Sequence, residues 1–327
     1  MTFEEMRMMA SGYQPAKTFL TALRVGLFDA LADGPKKEDA LGAKLALDPR
    51  ALGIVADALT SVGILTKGVS GYALSEEAER YLVKGREGYR GAVLEHIHAS
   101  WEDWSDLEAT LRTGSAKCRR KKESLPKVDE ALKNFILGME NITRDMAPKV
   151  AGILPLRDRE SILDLGGGPG NYALAFLAEA KGAKVFHFDL PRVTPIAKNF
   201  IAGKEGSDRV EFISGDFLKD PLGGPYDFIW TSQILHMLPE AEVERMVGRL
   251  ADVLTPDGVF CVHEHFLDDD KDGPVAAAFF GVHMLAATPG GRAYSFKELE
   301  EMMRGAGLMK TERIDYGAKP RLLLGRR

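Results

Sequence analysis

The segment Ser161–Gly170, SILDLGGGPG, constrains the chain more than any other. A short apolar run ends in a bend rich in glycine, and a helical stretch, Tyr172–Ala180, follows at once. Glycines after a strand let the backbone approach a ligand closely, and the first N–H groups of the next helix lack partners of their own. Four further apolar runs follow: Ala183–Phe188 ending at Asp189, Val210–Ser214, Phe228–Thr231, and Val259–His263 behind the turn Thr255–Gly258. Helical stretches such as Glu240–Leu254 lie between them. Strands alternating with helices predict an α/β fold, a doubly wound Rossmann-like parallel sheet. Ligands of such sheets bind beyond the carboxyl ends of the strands. The candidate site residues are therefore those that follow each strand.

Three acids occupy successive strand ends. Asp164 closes the first run, Asp189 stands 21 residues after Gly168 at the end of the second, and Gly215-Asp216-Phe217 follows the third. A dinucleotide site wants G-x-G-x-x-G, but the residue after Gly170 is Asn171. A carboxylate at the Asp189 position can accept both ribose hydroxyls, and an acid beside an aromatic ring can hold and stack a purine. Three acids with no phosphate-binding lysine point to a cationic nucleoside without phosphates. S-adenosylmethionine fits, with Asp164, Gly166, Gly168, Asp189, Asp216 and Phe217 as the candidate contacts.

The first 115 residues read differently. Ala16, Phe19, Leu20, Leu23, Leu27 and Leu31 share one face of a helix that ends at Gly34-Pro35. Further helices are expected over Lys37–Leu45 and, capped by Asp48, over Pro49–Val62. Gly63–Lys67 and Gly71–Leu74 form a hairpin, and Ser75 caps a helix through Leu82. Helices followed by a hairpin predict a winged-helix module over residues 1–115. Residues 116–155 are expected to be a linker and connecting helix, with Leu132, Phe135, Ile136, Met139 and Ile142 on one face. Residues 156–327 carry the sheet. The formal charge of −5 argues against a general electrostatic nucleic-acid binder. The acids in MTFEEMRMMA and the roughly 20 residues a membrane helix needs, against the shorter Val275–Ala287, predict a cytoplasmic protein without membrane insertion. Cys118 and Cys261 are expected as reduced thiols. The basic segment Lys117–Lys127 reads as a solvated loop.

DLGGGPG, FDLP (Phe188–Pro191), GDF (Gly215–Phe217), ILH (Ile234–His236) and GGR (Gly290–Arg292) with FKELEEMMRGAGL occur in an order that resembles the class I S-adenosylmethionine-dependent O-methyltransferases. The subgroup is the plant and bacterial small-molecule type, such as the caffeate, acetylserotonin and hydroxyneurosporene enzymes. The resemblance covers nearly the whole chain and implies an N-terminal winged-helix domain that forms a homodimer. It implies Gly166 and Gly168 at the methionine moiety, Asp189 at the ribose, Asp216 and Phe217 at the adenine, and Thr231 and Ser232 lining the cofactor. It implies His236 as general base and Glu264 as the acid that orients it. The family's H-D-W-x-D is here His236-Met-Leu-Pro-Glu240, and its second acid is replaced by Ala293.

Methyl transfer from a sulfonium is an in-line displacement from a good leaving group, so the enzyme mainly aligns the partners and excludes water. A phenol with pKa near 10 gains from a neighbouring imidazole. The expected reaction is O-methylation of a small aromatic or enolic molecule. Carbon methylation of an activated ring, or cofactor binding with other or no chemistry, are the alternatives. A DNA-binding regulator is disfavoured because Pro49–Val62 offers Arg50 but few other base-reading side chains. The resemblance implies His283 and Met284 as acceptor contacts, and Met139 is the further candidate. His263 and His265 would point the same way on a strand, but no third ligand is evident and no metal is expected. Trp101 and Trp104, spaced i, i+3, are expected in core or dimer packing.

Overall fold

The computed structural model describes residues 1–116, 130–317 and 320–327. The segment Lys117–Lys127, with Cys118, lies outside the described residues. Two compact units result, Met1–Ala99 and Ser100–Arg327.

The first unit contains α1 (Phe3–Ser11), α2 (Tyr13–Arg24), α3 (Leu27–Ala30), α4 (Glu38–Leu45), α5 (Pro49–Ser61), β1 (Leu65–Gly68), β2 (Gly71–Leu74), α6 (Glu76–Leu82) and α7 (Gly91–Ala99). The expected caps form: Asp48 accepts from Ala51 N at 2.8 Å, and the Ser75 hydroxyl accepts from Ala78 N. The helix expected to run through Leu31 is instead broken between α2 and α3. Gly26 takes φ +79° there, which turns the chain while Leu23, Leu27 and Leu31 still enter one core.

The second unit contains α8 (Trp101–Ser105), α9 (Leu107–Thr113), α10 (Glu130–Thr143), α11 (Ala147–Ala151), β3 (Ser161–Leu165), α12 (Asn171–Glu179), β4 (Lys184–Asp189), α13 (Thr194–Ile201), β5 (Val210–Ser214), β6 (Tyr226–Ser232), α14 (Glu240–Asp252), β7 (Leu254–Glu264), α15 (Val275–Ala287), α16 (Phe296–Gly305), β8 (Lys310–Ile314) and β9 (Arg321–Arg326). α8 and α9 pack on α15, so residues from Ser100 onward fold with the sheet.

The sheet order is β5-β4-β3-β6-β7-β9-β8. The first five strands are mutually parallel, and β9 joins antiparallel to both β7 and β8. Alternate residues feed two cores, as the strand period requires. Ile162, Val185, Phe228, Trp230 and Cys261 pack on one face with α11 and α12. Leu163, Leu165, Phe188, Ile229, Phe260 and Val262 pack on the other with α14 and α16. Both faces are covered, which is why these strands read as apolar runs rather than alternating ones. The strand order reverses between β3 and β6, and the expected site residues gather at that edge. No helix among the described residues is long and apolar enough to cross a membrane.

Candidate active site

The glycine turn between β3 and α12 is built against buried polar groups. Gly166, Gly168 and Gly170 take positive φ, and Gly166 N donates to Phe188 O at 2.8 Å, tying the turn to β4. Gly167 lies directly over His187 and Asp164. A Cβ at that position would sit 2.5 Å from His187 Cδ2 and 2.7 Å from Asp164 Oδ2. The expected cofactor contact Asp164 thus lies directly under the turn. Its carboxylate is buried beneath the turn and accepts the Ala173 N–H at the start of α12. Burial raises it to about 6, opposed by His187 and reinforced by Asp189.

Asp189 ends β4 where the sequence places it. Its Oδ2 accepts Gly168 N at 2.8 Å and its Oδ1 accepts Leu190 N at 2.7 Å. It remains 9% exposed, and burial holds its pKa above the usual range, against those two hydrogen bonds. Asp216 is half-buried one strand further on, with Oδ1 on Leu218 N and Oδ2 beside Lys219 at 3.1 Å. Phe217 packs against the core beside it. Thr231 and Ser232 end β6, as expected. Thr231 is fully buried with Oγ1 unpartnered, and the Ser232 hydroxyl is engaged by His263 Nδ1 at 2.9 Å. The donor set still fits an adenosine sulfonium: carboxylates close neighbouring strands β4 and β5, and a bend with no room for a side chain over Gly167 faces them.

The end of β7 supplies the reactive pair. Glu264 Oε1 accepts Ile234 N at 2.9 Å and Leu235 N at 3.0 Å, holding the 3-10 turn Leu235–Met237. Its Oε2 lies 2.7 Å from His236 Nδ1. Because the carboxylate accepts, Nδ1 carries the proton and Nε2 of a neutral ring keeps its lone pair. His236 is 7% exposed, with the edge of Phe280 4.7 Å away between ring centroids. Gln233, whose φ is +58°, precedes this turn and donates Nε2–H toward both His263 O and Glu264. Ile234 covers the Gly166 side of the turn. Gln233 carries no sequence signal that singles it out.

α15 forms the wall opposite His236. Met284 is buried in it, and His283 is half-buried. Trp104, expected in packing, stacks on His283 at 6.1 Å and 8°, and donates its indole N–H to His283 Nδ1 at 3.1 Å. Ala293 is buried against Gly281 of this helix. Met139 lies half-buried on α10, whose last turn is fastened to Asn171 through Thr143 Oγ1 at 2.8 Å. His263 and His265 do not face the same way. The strand ends at Glu264, so His263 enters the Tyr172–Trp230 cluster while His265 packs on Phe280 at 4.3 Å. Among the described residues no group of three or more His, Cys, Asp or Glu side chains converges on a common point.

Comparison with known proteins gives the family. A family model described as an O-methyltransferase domain matches residues 120–309, more than half of the chain. The tetracenomycin polyketide synthesis 8-O-methyl transferase TcmO of Streptomyces glaucescens is 26% identical over 323 residues, covering 98% of this chain and 95% of the relative. The 3-hydroxy-5-methyl-1-naphthoate 3-O-methyltransferase of Streptomyces sahachiroi is 26% identical over 318 residues, covering 95% and 90%. The solved structure of human N-acetylserotonin methyltransferase in complex with SAM shares the fold, with a TM-score of 0.87 and 22% identity over 99% of this chain and 97% of that one. The chain belongs to the O-methyltransferase family.

Proposed function

We propose that His236 is the general base of an O-methylation whose acceptor is a hydroxyl on a small aromatic or enolic molecule. The protein is a methyltransferase, and S-adenosylmethionine is its methyl donor. The observation that carries the base assignment is the 2.7 Å contact between His236 Nδ1 and Glu264, which leaves Nε2 as acceptor. When bound, the donor presents an electrophilic methyl whose carbon–sulfur bond breaks as the new carbon–oxygen bond forms. The chain's own part is to accept the hydroxyl proton on Nε2 and to balance the resulting imidazolium with the Glu264 carboxylate. Phe280 and Met284 keep water from the reacting oxygen. Asp189 and Asp216 are assigned the ribose and adenine, and Gly166 and Gly168 the methionine moiety. The two Streptomyces relatives, named for hydroxyls on polycyclic aromatics, support an aromatic acceptor.

Incubation with methyl-labelled donor and a panel of phenols and hydroxyquinones tests the reading, with the product's methyl located by NMR. The expected label sits on oxygen. Label found only on carbon replaces the reading with ring methylation, and no transfer to any hydroxyl removes it.

For Met1–Ala99 we infer a winged-helix module through which two cytoplasmic copies pair. Support comes from α1, which buries none of its residues and leaves Phe3, Met6, Met8 and Met9 exposed. α5 suits DNA poorly, since Ile54 is exposed and Asp57 is bound to Lys67 at 2.6 Å. Light scattering that returns the monomer mass at micromolar concentration removes the dimer.

A further inference from the structure

We propose that Trp104 fixes His283 as a hydrogen-bond donor, so that the site selects a hydroxyl flanked by a second, carbonyl oxygen. The inference deepens the O-methylation reading and rests on it. An indole N–H can only donate. Its 3.1 Å contact with His283 Nδ1 therefore requires a lone pair on that nitrogen, and the neutral ring must carry its proton on Nε2. The near-parallel stacking of the two rings holds the imidazole plane. Burial favours the same neutral form; Asp103 opposes it and His236 adds to it.

The two imidazoles are thus set in opposite senses. His236 gives its Nδ1–H to Glu264 and offers Nε2 as acceptor; His283 accepts the indole hydrogen bond at Nδ1 and offers Nε2–H. Phe280 touches both, with centroids 4.7 Å from His236 and 6.2 Å from His283. A simple phenol uses only the first nitrogen. A hydroxyl ortho or peri to a carbonyl uses both. In such molecules the hydroxyl proton is normally held by its own carbonyl. A donor that occupies the carbonyl releases that proton to the base.

The arrangement also suits Ala293. Among the described residues Glu264 is the carboxylate that meets His236 and balances the charge it gains, so an acceptor whose oxyanion is delocalised into a carbonyl asks less of the base. The proton passes from the hydroxyl to His236 Nε2 as the methyl carbon leaves sulfur for oxygen, and the His283 proton stays where it is.

The test compares 5-hydroxy-1,4-naphthoquinone, whose hydroxyl is peri to a carbonyl, with 6-hydroxy-1,4-naphthoquinone, whose hydroxyl is remote from both. The wild-type ratio of kcat/KM is expected to favour the peri compound by roughly tenfold or more, the size of one well-placed hydrogen bond. His283→Leu brings the ratio toward one, and His283→Gln, which keeps an N–H donor, restores part of it. Trp104→Phe lowers the ratio and adds a titrating limb near the ordinary imidazole range to the pH profile of the peri compound. Equal wild-type rates on the two quinones, or an unchanged ratio in His283→Leu, overturn the donor assignment and leave His236 untouched. Failure to methylate any hydroxyl, with the cofactor bound, overturns the base reading and this inference with it.

Discussion

Glu264 gathers more donors than any other side chain at the site. It takes the His236 Nδ1–H and the backbone amides of Ile234 and Leu235. A carboxylate has enough lone pairs for all of them, whereas an amide must turn an NH2 toward one. Glu264→Gln is therefore expected to leave a buried donor unsatisfied, cost about 1–3 kcal/mol of stability in urea, and lower kcat as the His236 tautomer is released. His236→Ala is expected to lower kcat by about 10²–10⁴-fold while calorimetry shows the cofactor affinity held, because Asp189 ends β4 and Asp216 follows β5, away from the β7 end that holds Glu264. An alanine variant that turns over near the wild-type rate removes the base. At this scale the sequence shows where a strand ends but not which atom has already been claimed. His236 and Glu264 were legible because both follow strands. The partners of Asp164, Ser232 and Trp104 were not, because α12, His263 and His283 engage them from elsewhere in the chain.

Among the elements, the turn between β3 and α12 is the most demanding. The run SILDLGGGPG announces a close backbone approach, and Gly166 and Gly168 attract attention by their spacing. The tightest point is the glycine between them. Gly167 has His187 and Asp164 packed beneath it, both buried and both fixed, His187 by a 3.2 Å contact between Nε2 and Gly168 O. Nothing in the pattern marks residue 187, since a histidine inside an apolar strand reads like any other core position. Gly167→Ala is expected to push the turn outward, because neither neighbour is the free end of a flexible side chain. Cofactor affinity should fall by about tenfold or more, about 1.4 kcal/mol or more. Gly203→Ala, at a position with open space and φ +74°, carries the cost of positive φ without the collision. Equal cofactor affinity in the two variants shows that the contact with His187 is unimportant.

The whole molecule was legible as a sheet of alternating strands and helices, but not in its edge. β8 reads KTERI and is mostly exposed, so its charges resemble a loop, and the three leucines of β9 are too short a run to show that they pair antiparallel with β7. That late strand leads out of Tyr316, whose hydroxyl meets His263 Nε2 at 2.8 Å. His263 is enclosed by Tyr172, Trp230 and Tyr316, and burial lowers its pKa to about 3, aided by His265 and opposed by a hydrogen bond to Pro320. Its unfolded counterpart titrates near 6.5. Below that pH the unfolded chain binds a proton that the folded one refuses, so this contribution is complete above about 6.5 and is lost as pH falls, by about 1.4 kcal/mol per unit, until about 3. Asp164, raised to about 6, acts in the opposite direction: its folded form holds a proton between about 4 and 6 that the unfolded chain has released. The two slopes cancel over that interval, and the intact protein should show little acid dependence from this pair. Replacing His263 by Gln exposes the difference. Urea transitions followed by tryptophan fluorescence at pH 7.5, 6 and 5 are expected to show the stability advantage of the wild type over His263→Gln shrinking as pH falls below 6.5. An advantage that stays constant over that range means that His263 accepts a proton in the folded state, and that its enclosure does not set its charge.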